Sequence, residues 1–239
     1  DVDKNRQANL LLQSLPSDVS SELTTIDIWQ KSSELASAEV KKLTWSEQAA
    51  INCICDCLTS MSALFVGSSR PVRDIEAFTK FENKILVFAN RGLAGIDGNI
   101  STAFGIAEEY EVTNSIMGDL TFLHDISALT NATKKNLRIF VIDNNGGGIF
   151  STLPQAGSNG FEQVFGTPHN LDLVKVISGF GVSVSRVSDL SGLELAARKP
   201  VNGFEVIVVE VPSREDNARM LKEVTQRVSS AVRIGINLA

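Results

Sequence analysis

The sequence predicts an α/β protein: one doubly wound, six-stranded, mostly parallel sheet with helices on both faces. Three observations carry that expectation. Six short apolar runs occur at "ALFVG" (63–67), "KILVF" (84–88), "NSIMG" (114–118), "LRIFVI" (137–142), "VSVSRV" (182–187) and "EVIVVEV" (205–211). Helical stretches at 99–109, 121–132, 171–179, 190–198 and 214–231 separate most of them, and strand–helix alternation implies parallel strands joined by crossovers. Several runs are apolar at consecutive positions, the pattern of strands covered on both faces.

Each element has a local reason. Residues 1–43 lack strand signals, and "SELTTIDIWQKSSELASAEVKKL" contains no Pro or Gly, so it reads as a helix. Its apolar residues form only a loose stripe, which suits a connecting arm. Thr44 and Glu47 in "TWSE" have capping-box spacing. The helix that follows carries Ile51, Ile54, Leu58 and Met61 at helical intervals. The charged segment "REDNARMLKEVTQRV" reads as a solvated outer helix. The expected organisation is an arm over 1–43, a sheet domain over 44–232 and a tail over 233–239.

Composition bounds the function. The chain has 239 residues, 43% hydrophobic and 21% charged, with a net charge of −6 and no block of like charges. No basic face is available for nucleic acid. No apolar run approaches a membrane span of about 20 residues. Cys53, Cys55 and Cys57 in "NCICDC" lack metal or redox spacing. They are expected as reduced cysteines beside a helix core, in a cytoplasmic or equivalent reducing compartment.

Ligands of open parallel sheets sit beyond the carboxyl ends of the strands. The segments there are "SSRPVRD", "ANRGLAGIDG", "DLTFLHD" and "DNNGGGIF". Asp119 follows one strand and Asn144 the next, 25 positions apart, which is a single β-α-β step. Adjacent parallel strands bring that carboxylate and that carboxamide to one edge. Both are hard oxygen ligands of the kind Mg²⁺ takes together with phosphate oxygens. Gly118 lets a ligand approach the backbone, and a helix starting near Thr121 offers free N–H groups to a phosphate. "NRGLAGIDG" is not G-x-G-x-x-G, so a dinucleotide site is weak. No G-x-S-x-G is present, and neither His124 nor His169 has a partner at metal-ligand spacing.

A "GD-x" turn followed after about 25 residues by "NN" resembles the thiamine-diphosphate motif. "GSSRPVRD", "ANRGLAGIDGNISTAFGIA", "GDLTFLHD", "NNGGGIF" and "FEQVFGTPHNLD" together resemble the MenD family, the 2-succinyl-5-enolpyruvyl-6-hydroxy-3-cyclohexene-1-carboxylate synthases of menaquinone and phylloquinone biosynthesis. The resemblance runs from about residue 40 to 230, the family's carboxyl-terminal diphosphate-binding domain. It implies thiamine diphosphate and Mg²⁺ or Mn²⁺ as cofactors. It implies decarboxylation of 2-oxoglutarate and addition of the succinyl-semialdehyde unit to isochorismate.

The resemblance also implies roles. Asp119, Asn144 and the Gly146 carbonyl would hold the metal. Ser69 and the turn amides around Leu120, Thr121 and Gly147 would hold diphosphate, with Gly118 open beside them. Ile96 would wedge under the thiazolium, and Ile149 and Phe150 would line the same cavity. Arg73 and Arg91 would bind substrate carboxylates, where bidentate pairing favours Arg over Lys. Family members usually read "GDL", as here at 118–120. One position of their asparagine run is here an aspartate, Asp143, one residue before the proposed ligand, with no loss of metal binding expected. They are more than twice as long and carry a pyrimidine-binding domain whose glutamate activates the cofactor across a subunit interface. This chain is therefore expected to be a fragment or processed chain, working as a homodimer or homotetramer with a neighbour's pyrimidine-binding domain, in the cytoplasm or, for a plant protein, in the plastid or peroxisome lumen. No catalytic acid or base is assigned within it. Another thiamine-dependent lyase or synthase, or a non-catalytic module, remains an alternative.

Overall fold

The computed structural model describes residues 23–90 and 92–237. Its sheet has six strands: β1 (Ala63–Val66), β2 (Leu86–Phe88), β3 (Thr113–Gly118), β4 (Leu137–Asp143), β5 (Ser183–Val187) and β6 (Phe204–Glu210). They lie in the order β2-β1-β3-β4-β6-β5, and every pairing is parallel. The expected "mostly parallel" sheet is thus wholly parallel. The helices are α1 (Leu23–Val40), α2 (Glu47–Asp56), α3 (Arg70–Phe78), α4 (Asn99–Glu109), α5 (Asp119–His124), α6 (Leu173–Ser178), α7 (Leu190–Ala197) and α8 (Arg214–Asn237).

Consecutive apolar residues in the strands are explained by two cores. Phe140 and Ile142 of β4 join Leu64, Val66, Ile116, Ile207 and Val209 under α2 and α7. Their neighbours Leu137, Ile139 and Val141 join Phe65, Met117, Val206 and Val208 under α4, α5 and α6. Side chains alternate between faces along a strand, so a run with no polar residue fills both layers. Burying each such side chain contributes roughly 1.5–3 kcal/mol.

Several expectations are corrected. The residue capping α2 is Ser46, whose side chain accepts the Ala49 N–H at 3.2 Å. Thr44 lies outside the helix, and Glu47 opens the first turn instead of closing a capping box. A helix, α3, follows β1, where the sequence reading gave none; Pro71 suits its first turn, where no amide partner is lost. The helix expected over 121–132 begins at Asp119 and breaks after His124, and a 3₁₀ segment follows at Ile126–Asn131. The final helix runs to Asn237, through most of the expected tail. Its start is not solvated: Arg214 and Asn217 are buried. The three cysteines are free.

By its contacts the chain divides into Lys42–Gln226 and a second unit, Asp1–Lys41 with Arg227–Ala239. Within the second unit, Arg227 pairs with Glu39 at 3.3 Å. Among the described residues, no helix is long and apolar enough to cross a membrane.

Candidate functional site at the carboxyl edge of the sheet

β3 ends at Gly118, and Asp119 turns directly into α5. Its carboxylate is buried at 2% exposure. One oxygen accepts the Leu120 N–H at 2.6 Å; the other accepts the Gly146 N–H at 2.8 Å and lies 3.2 Å from His169 Nε2. Space beside Gly118 is open: a Cβ there would meet nothing within 4 Å. β3 and β4 pair so that Gly118 faces Ile142, which sets Asp119 against the turn that follows β4.

That turn is "DNNGGGIF", and several of its amides donate within the chain. Asn145, with φ 62°, donates its N–H to Asp143 Oδ1 at 3.1 Å. The Gly147 N–H donates to the Gly166 carbonyl at 2.8 Å, and the Gly148 N–H to the Gly146 carbonyl at 2.9 Å. Glycine at 146 and 147 is required by the segment around Phe165 and Gly166: a Cβ at either position would overlap a carbonyl oxygen there. The glycines thus admit a neighbouring loop. The Leu120 and Gly147 amides, expected to face diphosphate, are already spent within the chain. The Gly146 carbonyl keeps one lone pair.

The second asparagine of the run, Asn145, forms a reciprocal pair with Asn170. Its Nδ2 donates to Asn170 Oδ1 at 3.0 Å, and its Oδ1 accepts the Asn170 N–H at 2.8 Å. This pair holds the 167–170 loop against the turn and delivers His169 to Asp119. His169 Nδ1 accepts the Leu171 N–H at 3.0 Å, which leaves the ring proton on Nε2, facing Asp119. The hydrogen bond to Asp119 lifts the imidazole above its usual pKa against the effect of burial, and Asp143 at 3.5 Å adds to the lift. Burial pushes the Asp143 carboxyl up to about 6, and the Asp119 charge adds to it. Ligand atoms of Asp119, Asp143 and His169 all lie within 4.8 Å of one another. A ring nitrogen that holds a proton toward Asp119 is a hydrogen-bond donor to that carboxylate and not a metal ligand.

Asn144 makes a separate contact. Its Nδ2 donates to Glu47 Oε1, and its Oδ1 is buried with no partner. Glu47, on the first turn of α2, is 3% exposed, and burial pushes its carboxyl up to about 7. Arg70 lies 4.0 Å from Glu47 and pairs with the fully buried Asp74. Burial pushes Asp74 to about 6, against the pull of Arg70.

The remaining predicted residues are spread around this edge. Ser69 caps α3 with φ 79°, a conformation that costs a non-glycine residue and recurs at ligand sites. Arg73 donates to the Ser69 carbonyl at 2.7 Å and is exposed. Thr121 is buried in the first turn of α5. Ile96 is half-buried in the loop between β2 and α4, and Ile149 and Phe150 are half-buried in a 3₁₀ turn after β4. Phe150 stacks on Phe165 at 5.4 Å between ring centroids. Arg91 lies outside the described residues. An open cleft of about 390 Å³ adjoins the turn, lined in part by Asp143, Asn145, His169 and Arg214. Sequence reasoning did not single out Glu47 for the site and found no partner for His169 at metal-ligand spacing. The one sequence signal for His169 was its place in "FEQVFGTPHNLD"; Glu47 had been spent on a capping box.

Comparisons with known proteins identify the family. The profile described as "Thiamine pyrophosphate enzyme, C-terminal TPP binding domain" matches residues 73–211. The chain belongs to that family of thiamine pyrophosphate enzymes. Within the family it is similar to 2-succinyl-5-enolpyruvyl-6-hydroxy-3-cyclohexene-1-carboxylate synthases. One from Thermobifida fusca is 37% identical over 185 residues, covering 74% of this chain and 33% of the relative. One from Bacillus cytotoxicus is 42% identical over 164 residues, covering 66% and 28%. One from Listeria innocua is 31% identical over 236 residues, covering 94% and 40%. The chain thus spans about a third of the length of these curated relatives. Among solved structures, benzoylformate decarboxylase from Polynucleobacter necessarius shares the fold with a TM-score of 0.58 at 17% identity, covering 70% of this chain and 33% of that one.

Proposed function

We propose that this chain holds the diphosphate and metal of thiamine diphosphate in a synthase that decarboxylates 2-oxoglutarate and adds the resulting unit to isochorismate, as the names of its relatives indicate. The single observation that carries the cofactor reading is the buried Asn144 Oδ1. It has no donor among the described residues and shares one sheet edge with the buried Asp119 carboxylate. An unsatisfied buried carbonyl costs about 1–3 kcal/mol, which a cation offsets. Two oxygens of this kind, with the spare lone pair of Gly146, form a hard donor set that suits Mg²⁺ or Mn²⁺ and leaves coordination positions for phosphate. The open space beside Gly118 fits a group lying close to the backbone.

When bound, thiamine diphosphate supplies the electron sink for loss of CO₂ from a 2-oxo acid. The residues of this chain do the rest. Asp119, Asn144 and Gly146 hold the metal; Ser69 and Thr121 meet the diphosphate beside Gly118. Leu120 and His169 orient Asp119 with their N–H groups. Ile96, Ile149 and Phe150 keep water from the ring. Arg73 and Arg91 bind the substrates' carboxylates. The partner that supplies the pyrimidine half of the site is a neighbouring subunit of a homodimer or homotetramer.

The test is Mg²⁺-dependent binding of thiamine diphosphate by calorimetry on the native protein, followed by conversion of 2-oxoglutarate and isochorismate. Cofactor binding without conversion of that pair would move the assignment to another thiamine-dependent enzyme. Absence of metal-dependent binding would overturn the site itself.

A further inference from the structure

We infer that Glu47 is a positioning residue for the metal, fixing the Asn144 side chain so that its carbonyl oxygen, and not its amide nitrogen, faces the cation. The inference rests on the reading of Asn144 as a metal ligand. A carboxylate only accepts hydrogen bonds, so it pairs with the NH₂ of a carboxamide and turns the oxygen away. Glu47 Oε1 accepts from Asn144 Nδ2, and Asn144 Oδ1 is left buried and free.

Glu47 is itself held from two sides. Its main-chain N–H donates to Asn217 Oδ1 at 2.9 Å, and Asn217 Nδ2 donates to the Pro212 carbonyl at 2.6 Å. The start of α8 thereby fixes the start of α2. The second carboxylate oxygen lies 4.0 Å from Arg70 Nε, and Arg70 is anchored on Asp74. Finally, Gly148 keeps the meeting place clear: a Cβ there would overlap Asn144 Nδ2 and come 3.4 Å from Glu47 Oε1. Packing alone does not call for an acid here. A buried carboxyl is costly, and an apolar residue of similar size fills the same space without that cost. Partners that orient metal ligands change metal affinity by 10- to 100-fold when removed.

The experiment is a Mn²⁺ titration followed by electron paramagnetic resonance, with thiamine diphosphate present, on the native protein. Glu47→Met, which keeps volume and removes the acceptor, should weaken Mn²⁺ binding about 10- to 100-fold. Glu47→Gln, which still offers an acceptor, should restore most of that loss. Gly148→Ala breaks the same contact from the other side and should also weaken Mn²⁺. In an Asn144→Ala background, Glu47→Met should change the affinity less than about twofold, because coupled residues do not add. Equal losses in both backgrounds, or an Mn²⁺ affinity that neither Glu47→Met nor Gly148→Ala alters, would overturn the inference while leaving the metal site standing. A wild-type protein that binds no Mn²⁺ would overturn both.

Discussion

The two ends of β4 bury charge in opposite ways. At the amino end, Arg138 is 2% exposed, and its guanidinium is closed by acceptors. Nε donates to Glu205 at 2.7 Å, Nη1 to the Ala197 carbonyl at 2.9 Å, and Nη2 to the Lys199 carbonyl at 3.0 Å. At the carboxyl end, Glu47, Asp119 and Asp143 gather around His169 and Arg70, and Asn144 Oδ1 has no donor. One end is electrostatically complete, as a structural anchor must be. The other gathers buried carboxyls and one carbonyl oxygen without a donor among the described residues, which is what the proposed cation site would use.

That contrast can be broken at either end. Arg138→Ala should cost the most, roughly 3–5 kcal/mol of stability, because it leaves carbonyls and the Glu205 carboxylate without their donor. Chemical denaturation measures it; Mg²⁺ affinity of the folded fraction should stay unchanged, since the site is at the far end of the strand. At the carboxyl edge, burial holds the Asp74 pKa near 6 against 3.8 for the free group. Between about pH 4 and 6 the folded protein keeps a proton that the unfolded chain has released, so stability falls as pH rises through that window. Asp74→Asn should flatten this slope, with an upper bound of roughly 3 kcal/mol, seen as melting temperature against pH.

Smaller effects sharpen the comparison. Arg73→Ala should raise the KM for one carboxylate substrate about 10-fold, the loss of one charge-assisted contact, with cofactor affinity unchanged. Asp143→Asn should lower Mg²⁺ affinity only a few-fold, roughly 1 kcal/mol, because Asp143 adds field but no expected ligand oxygen. A loss as large as that of a true ligand would transfer Asp143 into the coordination set, with Asp119 and in place of Asn144.

Much of the fold was legible because it rests on short-range patterns. All six strands were readable to within two residues at each end, since each is an apolar run bounded by polar turns. Helix α3 was not, because "SSRPVRD" carries Pro71 and few apolar residues, and its stability comes from Val72 and Ile75 packing on the core. The placement of Asp119 and Asn144 at one sheet edge was legible from their spacing across one β-α-β step. Glu47 was not, because its partner is 97 positions away and no local pattern marks a buried carboxylate. The purpose of Gly146 and Gly147 was read as ligand access. The structure assigns their bareness to the Phe165–Gly166 segment, a long-range fit that sequence spacing does not encode.

The central claim is that the carboxyl edge is a cation site to which Asp119 and Asn144 would each supply a ligand oxygen. The most direct measurement is calorimetric titration of Mg²⁺ into the native protein with thiamine diphosphate, comparing wild type, Asp119→Asn and Arg138→Met. The account predicts saturable binding in wild type and Arg138→Met, and a loss of more than about 100-fold in Asp119→Asn, beyond that of any orienting partner. Unchanged Mg²⁺ affinity in folded Asp119→Asn would contradict it.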